Sequence, residues 1–222
     1  MKYVAGQYRS SNDLYDATIE IYKKIFNRLS AEYPYLIRCH HYIPDINSTR
    51  YDAFNKARRV AFKDAGYLFH PAATALGAPT GDNLVISFLI GQTAPIELSN
   101  SRQVDAFDYP IDNTPLFARA VIADDQLYVS GTASIIGHQS VHLGDVVAQY
   151  KETMANIIEL AGSRLVSLNW VIYVKDSADV DIIRTLHPYS AKYIVCDICR
   201  DELLIEIEAT EKNGKDISSL YT

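Results

Sequence analysis

The amino-acid sequence predicts an α+β fold made of two related units, each with a mixed β-sheet and helices packed on one face of that sheet. Helical and strand-like segments follow one another in the same order in both halves of the 222-residue chain. The stretch "HHYIPDINS" aligns with "VIYVKDSAD" without a gap, so that Tyr42 corresponds to Tyr173. The stretch "NLVISFLI" aligns with "ELLIEIEA", so that Ser87 corresponds to Glu206. A repeated order of elements with matching strands indicates a duplicated supersecondary unit.

The first unit, residues 1–95, begins almost directly with a helix. In "DLYDATIEIYKKIFNRLSAEYP" the apolar residues recur at helical spacing, and Asn12 or Asp13 is a suitable N-cap. A strand, "YLIRCHHYIPDIN", ends at Pro44, and a second amphipathic helix, "RYDAFNKARRVAFKDAG", stops at Gly66. Two strands follow, around "PAATALGAP" and "DNLVISFLIG". Because no strand pair precedes the first helix, we expect this unit to be incomplete and to leave one sheet edge open.

The second unit, residues 116–222, is expected to be complete, and a linker over residues 96–115 joins it to the first. The Pro, Asn and Ser content of the linker indicates an irregular loop. The turn at Asp124 and Asp125 connects two strand-like runs, as in a hairpin. A helix from near Asp145 to Gly162 comes next, followed by the strand "LVSLNWVIYVKDSAD" and the short helix "DVDIIRTLHP". The closing strands are "KYIVCDICR" and "ELLIEIEAT".

Composition excludes several classes of protein. The net charge is −6, so nucleic acid is not an expected partner. No apolar run is long enough to cross a bilayer, and the N-terminus lacks the apolar core of a signal peptide, so we expect a cytoplasmic protein without a membrane partner. The three cysteines, Cys39, Cys196 and Cys199, are too few for a disulfide framework.

Two motifs resemble metal sites but are weak. Cys196 and Cys199 form a CxxC pair, yet residues three apart in a strand point to opposite faces, and there is no second pair. His40 and His41 are adjacent in a strand and also face opposite ways, which favours structural roles. We therefore expect no metal site.

The run "LLIEIEAT" carries the chemical candidates. Glu206 and Glu208 share one strand face, while Ile205, Ile207 and Ala209 share the other. One interpretation is a sheet with one solvated face. The other is that Glu206 is desolvated, which would raise its pKa and suit it to act as a general acid. The pattern alone leaves both interpretations open.

An ordered set of short stretches resembles one enzyme family. They are "YIPDIN", "PAAT", "SRQV", "FARA", "LYVSGTASIIGH", "GDVVAQYKET" and "DICRDELLIEIEA", and they run from about Pro34 to Ala209. This set is similar to the chorismatases, enzymes that hydrolyse chorismate or form hydroxybenzoates on a duplicated Rid (YjgF-like, chorismate-mutase-like) fold. The chain resembles a short form without the usual N-terminal region.

The resemblance implies a reaction and a set of site residues. Glu206 would protonate the enol ether of chorismate, releasing pyruvate and either a hydroxybenzoate or a dihydroxycyclohexadiene carboxylate, with no cofactor. Cys199 is typical of hydroxybenzoate formation and Ala133 of hydrolysis, so the product stays open. The residues expected to bind the substrate are Arg102, Arg119, Gly131, Ala133, Lys192 and Tyr193.

Two other functions and an assembly are also considered. A Rid-type deaminase of enamines or imines would need an arginine at the strand start, where this chain has Lys192. A non-catalytic homologue that binds small carboxylates is the third possibility.

Rid-like folds commonly form trimers, so we expect a homo-oligomer, with a trimer favoured, in which a neighbour covers the open edge of the first unit.

Overall fold

Two β-sheets face one another, with helices on their outer sides, in the computed structural model, which describes residues 3–78 and 83–212. The end of the expected strand "PAATALGAP" and the last ten residues of the second unit lie outside the described residues. The first sheet and its helices comprise β1 (Tyr3–Ser10), α1 (Leu14–Arg28), β2 (Tyr35–Ile43), α2 (Ser48–Asp64), β3 (Ala72–Gly77) and β4 (Leu84–Gly91). The remaining elements are β5 (Ile96–Leu98), β6 (Ala120–Ala123), β7 (Gln126–Ala133), β8 (Ile135–Ile136), β9 (Gln139–Ser140), α3 (Val146–Ala161), β10 (Leu168–Val174), α4 (Val180–Leu186), β11 (Ala191–Val195) and β12 (Ile205–Glu211).

The first sheet has the strand order β1-β4-β2-β3. β4 runs antiparallel to both neighbours, and β3 runs parallel to β2. α1 and α2 cover one face of this sheet, where their apolar stripes meet alternate residues of the strands. The buried core on this face includes Ile21, Ile25, Leu36, Phe54, Phe62, Ile86 and Phe88. The helical spacing of the apolar residues therefore predicted the packing face correctly.

The strand β1 is a correction to the expected first unit. Tyr3–Ser10 pairs with β4 along its whole length, so a strand does precede the first helix. Val4 and Tyr8 pack on the helical side, and the Tyr8 ring stacks on Phe88. Gly6 lies between them because a Cβ there would be 2.5 Å from the Phe88 ring. The alternation was missed because this glycine and the short length of the segment weaken the strand pattern.

The second sheet repeats the first and extends it. Its order is β11-β10-β12-β7-β6-β5, and the four strands from β11 to β7 have the same order and directions as β3, β2, β4 and β1. α3 and α4 cover its outer face, where the core includes Val129, Ile157, Trp170, Ile172, Ile183, Ile205 and Ile207. The predicted class, α+β with mixed sheets and helices on one face, is confirmed. Within the expected loop of residues 96–115, β5 pairs with β6, so part of that segment is a strand.

The residues that the sequence predicts at the helix ends cap the helices in the structure. The Asp13 side chain accepts hydrogen bonds from two backbone N–H groups at the start of α1, and Asp145 accepts one from Ala148 at the start of α3. Gly162, at φ +51°, ends α3 in a conformation that favours glycine. No helix in the described ranges is long and apolar enough to cross a membrane.

The inner faces of the two sheets pack through two separate apolar clusters. At one end, Ile37 and Leu89 of the first sheet meet Val121 and Tyr128 of the second. At the other end, three residues of the first sheet (Tyr42, Leu76, Val85) meet two of the second (Val171, Tyr173). Buried polar side chains lie between these clusters, and they include both carboxylates of the "EIE" run.

Candidate active site

Glu206 and Glu208 point from β12 toward the first sheet and are almost fully buried, at 4% and 2% exposure. Ile205, Ile207 and Ala209 alternate with them and pack under α3. The interpretation of a solvated sheet face is therefore wrong. The second sheet's inner face is covered because another sheet lies on it, which strand periodicity cannot reveal.

A β-bulge shapes the strand pair that holds the two carboxylates. Ile207 pairs with Thr132 and Ala209 with Val129, so β7 has two residues, Ser130 and Gly131, opposite the single Glu208. Such bulges redirect side chains and are frequent beside active sites. A Cβ on Gly131 would lie 2.1 Å from Glu206 Oε1, so only glycine leaves room for this carboxyl group.

Glu206 lies in an environment that favours the protonated acid. Burial, and secondly the charge of Glu208, raise its pKa to about 8, although Cys199 and Arg200 act in the opposite direction. The Cys199 sulfur lies 3.9 Å from Glu206 Oε2. Among the residues that the structure describes, no cationic side chain forms an ion pair with Glu206. The carboxyl group is thus a proton donor near neutral pH.

Glu208, only two residues away, lies in the opposite electrostatic environment. Its Oε2 accepts hydrogen bonds from His40 Nε2 at 2.7 Å and from the Thr74 hydroxyl at 2.5 Å, and Arg38 Nη2 lies 2.9 Å away. Burial alone would raise the pKa of Glu208, but His40 and Arg38 outweigh it and hold the pKa well below its usual range. Glu208 is therefore a fixed anion.

Glu206 opens into a small cavity between the two sheets. The inner chamber holds about 40 Å³ and continues into a mouth of about 250 Å³. The chamber is lined by His41, Tyr51, Arg58, Thr74, Tyr109, Phe117, Arg119, Gly131, Ala133, Ile135, Cys199, Arg200 and Glu206, among others. Tyr51, Tyr109 and Arg200 also line the mouth. The site thus contains residues from both sheets.

Three arginines line the chamber. Arg58, only 1% exposed, lies over the rings of Tyr22 and Phe62, and its Nε and Nη2 have no hydrogen-bond partner among the described residues. Arg119 donates to the Tyr109 hydroxyl at 2.7 Å and to the Val104 carbonyl, whereas its Nε has no partner within residues 3–78 and 83–212. Arg200 donates to His138 and Ser140. These guanidinium groups make the cavity suited to an anionic ligand.

Five of the predicted site residues come together in this chamber: Glu206, Cys199, Arg119, Gly131 and Ala133. Burial, and secondly the charge of Glu206, raise the pKa of the Cys199 thiol, which stays protonated. The Gly131 N–H donates to the Thr74 hydroxyl at 3.1 Å, so this N–H is not directed at a ligand. Gly131 makes room for Glu206, and the expectation that it binds substrate stays a prediction.

The other three predicted site residues lie elsewhere. The Arg102 guanidinium donates to Glu152 at 2.5 Å and to Asn156 at 3.1 Å on α3, which holds it away from the chamber. Lys192 lies on β11, beside a separate depression at the edge of the second sheet. Tyr193 packs under the Arg184 guanidinium. The resemblance placed Arg102 in the site through the stretch "SRQV", and Lys192 and Tyr193 through the start of their strand, but β11 is at the sheet edge and two strands away from β7.

Sequence reasoning missed Arg58, Arg200, Tyr51 and Tyr109. For Arg58 a signal was available, because it falls on the apolar face of α2, four residues after Phe54 and four before Phe62. A charged residue on the buried face of an amphipathic helix is unusual enough to be a candidate. Arg200 and Tyr109 lie in connecting segments whose positions depend on long-range packing.

The structure shows where the pairs Cys196–Cys199 and His40–His41 lie and what the two histidines contact. β11 ends at Val195, so Cys196 and Cys199 lie beyond the strand, and the premise that they share it is wrong. His40 and His41 do face opposite ways: His40 donates to Glu208, and His41 contacts the Tyr22 hydroxyl at 2.7 Å. His40 thus contributes directly to the carboxylate pair. In the ranges 3–78 and 83–212, no three His, Cys, Asp or Glu side chains are grouped to hold a metal ion.

Comparisons with known proteins show which family the chain is similar to. Residues 1–90 match the family described as "Chorismatase FkbO/Hyg5-like, N-terminal". A 3-hydroxybenzoate synthase from Streptomyces hygroscopicus is 32% identical, covering 93% of this chain and 72% of its own length. A chorismatase from the same organism is 28% identical, covering 87% and 66%. A chorismatase crystal structure matches with a TM-score of 0.85 and 27% identity over 95% of this chain and 75% of its own.

The raised pKa of Glu206 predicts a pH-dependent contribution to stability. The folded protein binds this proton more tightly than the unfolded chain does, so the contribution is complete below about pH 4.5 and is lost as the pH rises through about 8. Compared with the wild type, Glu206→Gln should therefore gain relative stability from about pH 5 to about pH 9. Urea unfolding across this range is the measurement, with Glu211→Gln on the same strand as the control. Parallel wild-type and Glu206→Gln curves would contradict the assignment.

Proposed function

We propose that this chain, which belongs to the chorismatase family, removes the enolpyruvyl group of chorismate as pyruvate with Glu206 as the general acid. It is a chorismate-cleaving enzyme, and the proposal concerns how the reaction proceeds and which ring product forms. The observation that carries it is a buried carboxyl group, protonated near neutral pH, that opens into a chamber lined by arginines.

The chemistry requires a proton on carbon. Cleavage of the enol ether begins when the enolpyruvyl methylene carbon, a poor base, takes a proton to give an oxocarbenium-like species. A carboxylic acid kept neutral by its surroundings suits this step, because it delivers the proton and leaves a carboxylate that stabilises the positive charge. Glu206 meets both requirements, whereas the ionised Glu208 has no proton to give.

The substrate is a dianion, so its two carboxylates need cationic partners. We assign this role to Arg58 and Arg119, which line the chamber, together with Arg200, which lines both the chamber and the mouth. The inner chamber of about 40 Å³ has room for only a few waters, so chorismate must also occupy the mouth. Tyr109, whose hydroxyl accepts a hydrogen bond from Arg119, lies where the chamber meets the mouth, and its side chain would have to move to admit the ligand. No metal or organic cofactor enters this mechanism.

We propose a hydroxybenzoate as the ring product. In this route the ring hydroxyl displaces the side chain internally, so pyruvate and the hydroxybenzoate together contain all the atoms of chorismate. One observation favours it over hydrolysis: the Cys199 thiol lies beside Glu206. Ala133, which is typical of hydrolysis, lines the same wall.

Glu206→Gln should reduce pyruvate release by at least about a thousandfold, because the amide keeps the shape of the acid but cannot donate a catalytic proton. The measurement is a coupled assay of pyruvate from chorismate, with binding of chorismate followed by calorimetry. Glu211→Gln, an equal change on the same strand, should stay close to wild type. Equal rates for Glu206→Gln and the wild type would remove the general-acid assignment.

Cys199→Ala should change the ratio of ring products more than the rate of pyruvate release. A protonated thiol beside the ring can relay a proton after the committed step, so its loss should divert product toward the dihydroxycyclohexadiene carboxylate. Chromatography of the ring products at equal conversion is the measurement, and Cys39→Ala in the core of the first sheet is the control. An unchanged product spectrum would make Cys199 a packing residue.

We propose in addition that copies of the chain associate through their sheet edges, with a trimer favoured. In the described part of the chain, β1 and β11 each have a strand on one side only. β11 exposes Ile194 and Val195, whereas its counterpart β3 is covered by β7 of the same chain. Exposed apolar strand edges of this kind favour pairing with another chain.

Light scattering at micromolar and lower concentration tests this assembly. We expect a mass that is a multiple of 24.9 kDa, and Ile194→Lys together with Val195→Lys should shift it toward the single chain. Leu143→Lys together with Ile158→Lys is the control, because both residues are exposed and lie just before or within α3, outside the strands. A stable, active species of 24.9 kDa in the wild type would refute the proposal.

A further inference from the structure

Thr74 connects the two sheets at the carboxylate pair. Its hydroxyl donates to Glu208 Oε2 at 2.5 Å and accepts the Gly131 N–H at 3.1 Å. Its carbonyl accepts a hydrogen bond from His41 Nδ1 at 3.0 Å. Thr74 belongs to β3 in the first sheet, whereas Glu208 and Gly131 belong to β12 and β7 in the second. The Thr74 side chain therefore links β3 to both strands of the pair that holds Glu206.

Arg38 and His40 fix the same carboxylate from β2. Both are 1% exposed, and both lie within 3 Å of Glu208 Oε2. Arg38 also donates to the Thr210 hydroxyl at 3.1 Å, so it contacts β12 at two points. A carboxylate with a guanidinium, an imidazole and a hydroxyl around one oxygen has little freedom to rotate.

We propose that Arg38, His40 and Thr74 are positioning residues for the reaction: they fix Glu208 as an anion beside Glu206 and thereby set the place of the Glu206 carboxyl group in the chamber. Of the three, Thr74 lines the chamber, but its hydroxyl is engaged by Glu208 and Gly131, so each residue acts through Glu208 or Gly131. The inference rests on the proposed function, because it concerns the acid that this function assigns.

The arrangement acts on Glu206 in two ways. Residues two apart on one strand face are about 7 Å apart, so the Glu208 anion disfavours a second negative charge on Glu206. The raised pKa of Glu206 agrees with this. The second effect is geometric, because Thr74 holds the bulged Gly131, the residue against which Glu206 Oε1 packs.

Other groups also face the carboxylate pair and must stay unchanged in any test. The charged ones are Arg58 on α2, Arg119 beside β6, and Asp197 and Arg200 after β11. The remaining titratable ones are His41, Tyr42, Tyr51, Tyr109, Tyr173, Cys196 and Cys199. A variant that removes Arg38 and Glu208 together leaves all of these in place and leaves the net charge of the cluster nearly the same.

The first test is independent of turnover. In substrate-free protein with ¹³C-labelled glutamate, carboxyl NMR follows the titration of Glu206, with Glu206→Gln identifying the signal. In Arg38→Met/Glu208→Gln the Glu206 midpoint should fall by about one unit or more from its value of about 8, because the neighbouring anion is gone. An unchanged or higher midpoint would overturn the electrostatic part of the proposal.

The second test uses matched variants at Thr74. Thr74→Val keeps the shape and removes the hydroxyl, and it should lower kcat about tenfold or more while leaving KM within about twofold. Thr74→Ser keeps the hydroxyl and should recover most of the rate. Equal rates for the two variants, or a change in KM alone, would overturn the positioning role. Both changes conserve most of the side-chain volume. If Arg38→Met/Glu208→Gln does not fold, the comparison of Thr74→Val with Thr74→Ser still tests the proposal.

The two proposals fail in different ways. A wild-type protein that releases no pyruvate from chorismate refutes the proposed function, and the NMR midpoint still decides whether the cluster controls Glu206. A wild-type protein that releases pyruvate while Thr74→Val matches it refutes only the positioning role.

Discussion

The structure depends on a buried ion cluster that crosses between the two sheets. Arg38 and His40 of the first sheet meet Glu208 of the second, and all three are at most 2% exposed. Such a cluster adds little net stability compared with apolar residues of the same volume, but the loss of one partner costs about 3–5 kcal/mol because a charge is left buried and unpaired. The cluster therefore penalises any other arrangement of the sheets, while the apolar contacts on either side provide most of the attraction.

The contact between the two sheets holds Glu208 ionised and leaves Glu206 protonated near neutral pH. Glu206 and Glu208 share a strand and a face, yet the first sheet presents cations only to Glu208. Of the chamber arginines, Arg200 lowers the pKa of Glu206, but burial and the charge of Glu208 outweigh it. When surroundings separate the pKa values of two acids in this way, one serves as proton donor and the other as fixed charge. The assignment of roles thus follows from sheet packing.

The sequence predicted the features that depend on neighbouring residues, and it could not decide those that depend on residues far away in the chain. Helix caps such as Asp145 depend on a few neighbouring residues and were predicted correctly. Strand alternation also gave the correct face for Glu206, because side-chain direction is local. Whether that face is solvated depends on a sheet more than a hundred residues away in the chain, so the pattern could not decide it. Arg102 and Lys192 lie outside the chamber for the same reason, since a local match to a family says little about a residue's distance from the site.

The division of the site between the sheets constrains the whole chain. Glu206, Cys199 and Gly131 come from the second sheet or its connections, whereas Thr74 and Arg58 come from the first. Neither half alone would hold a neutral acid beside cationic groups, because a separated second sheet would expose Glu206 to water and lower its pKa toward the ordinary value. A duplicated unit can therefore acquire this chemistry only when the copies differ: one supplies both carboxylates, and the other supplies the cover over Glu206 and the cations that hold Glu208 ionised.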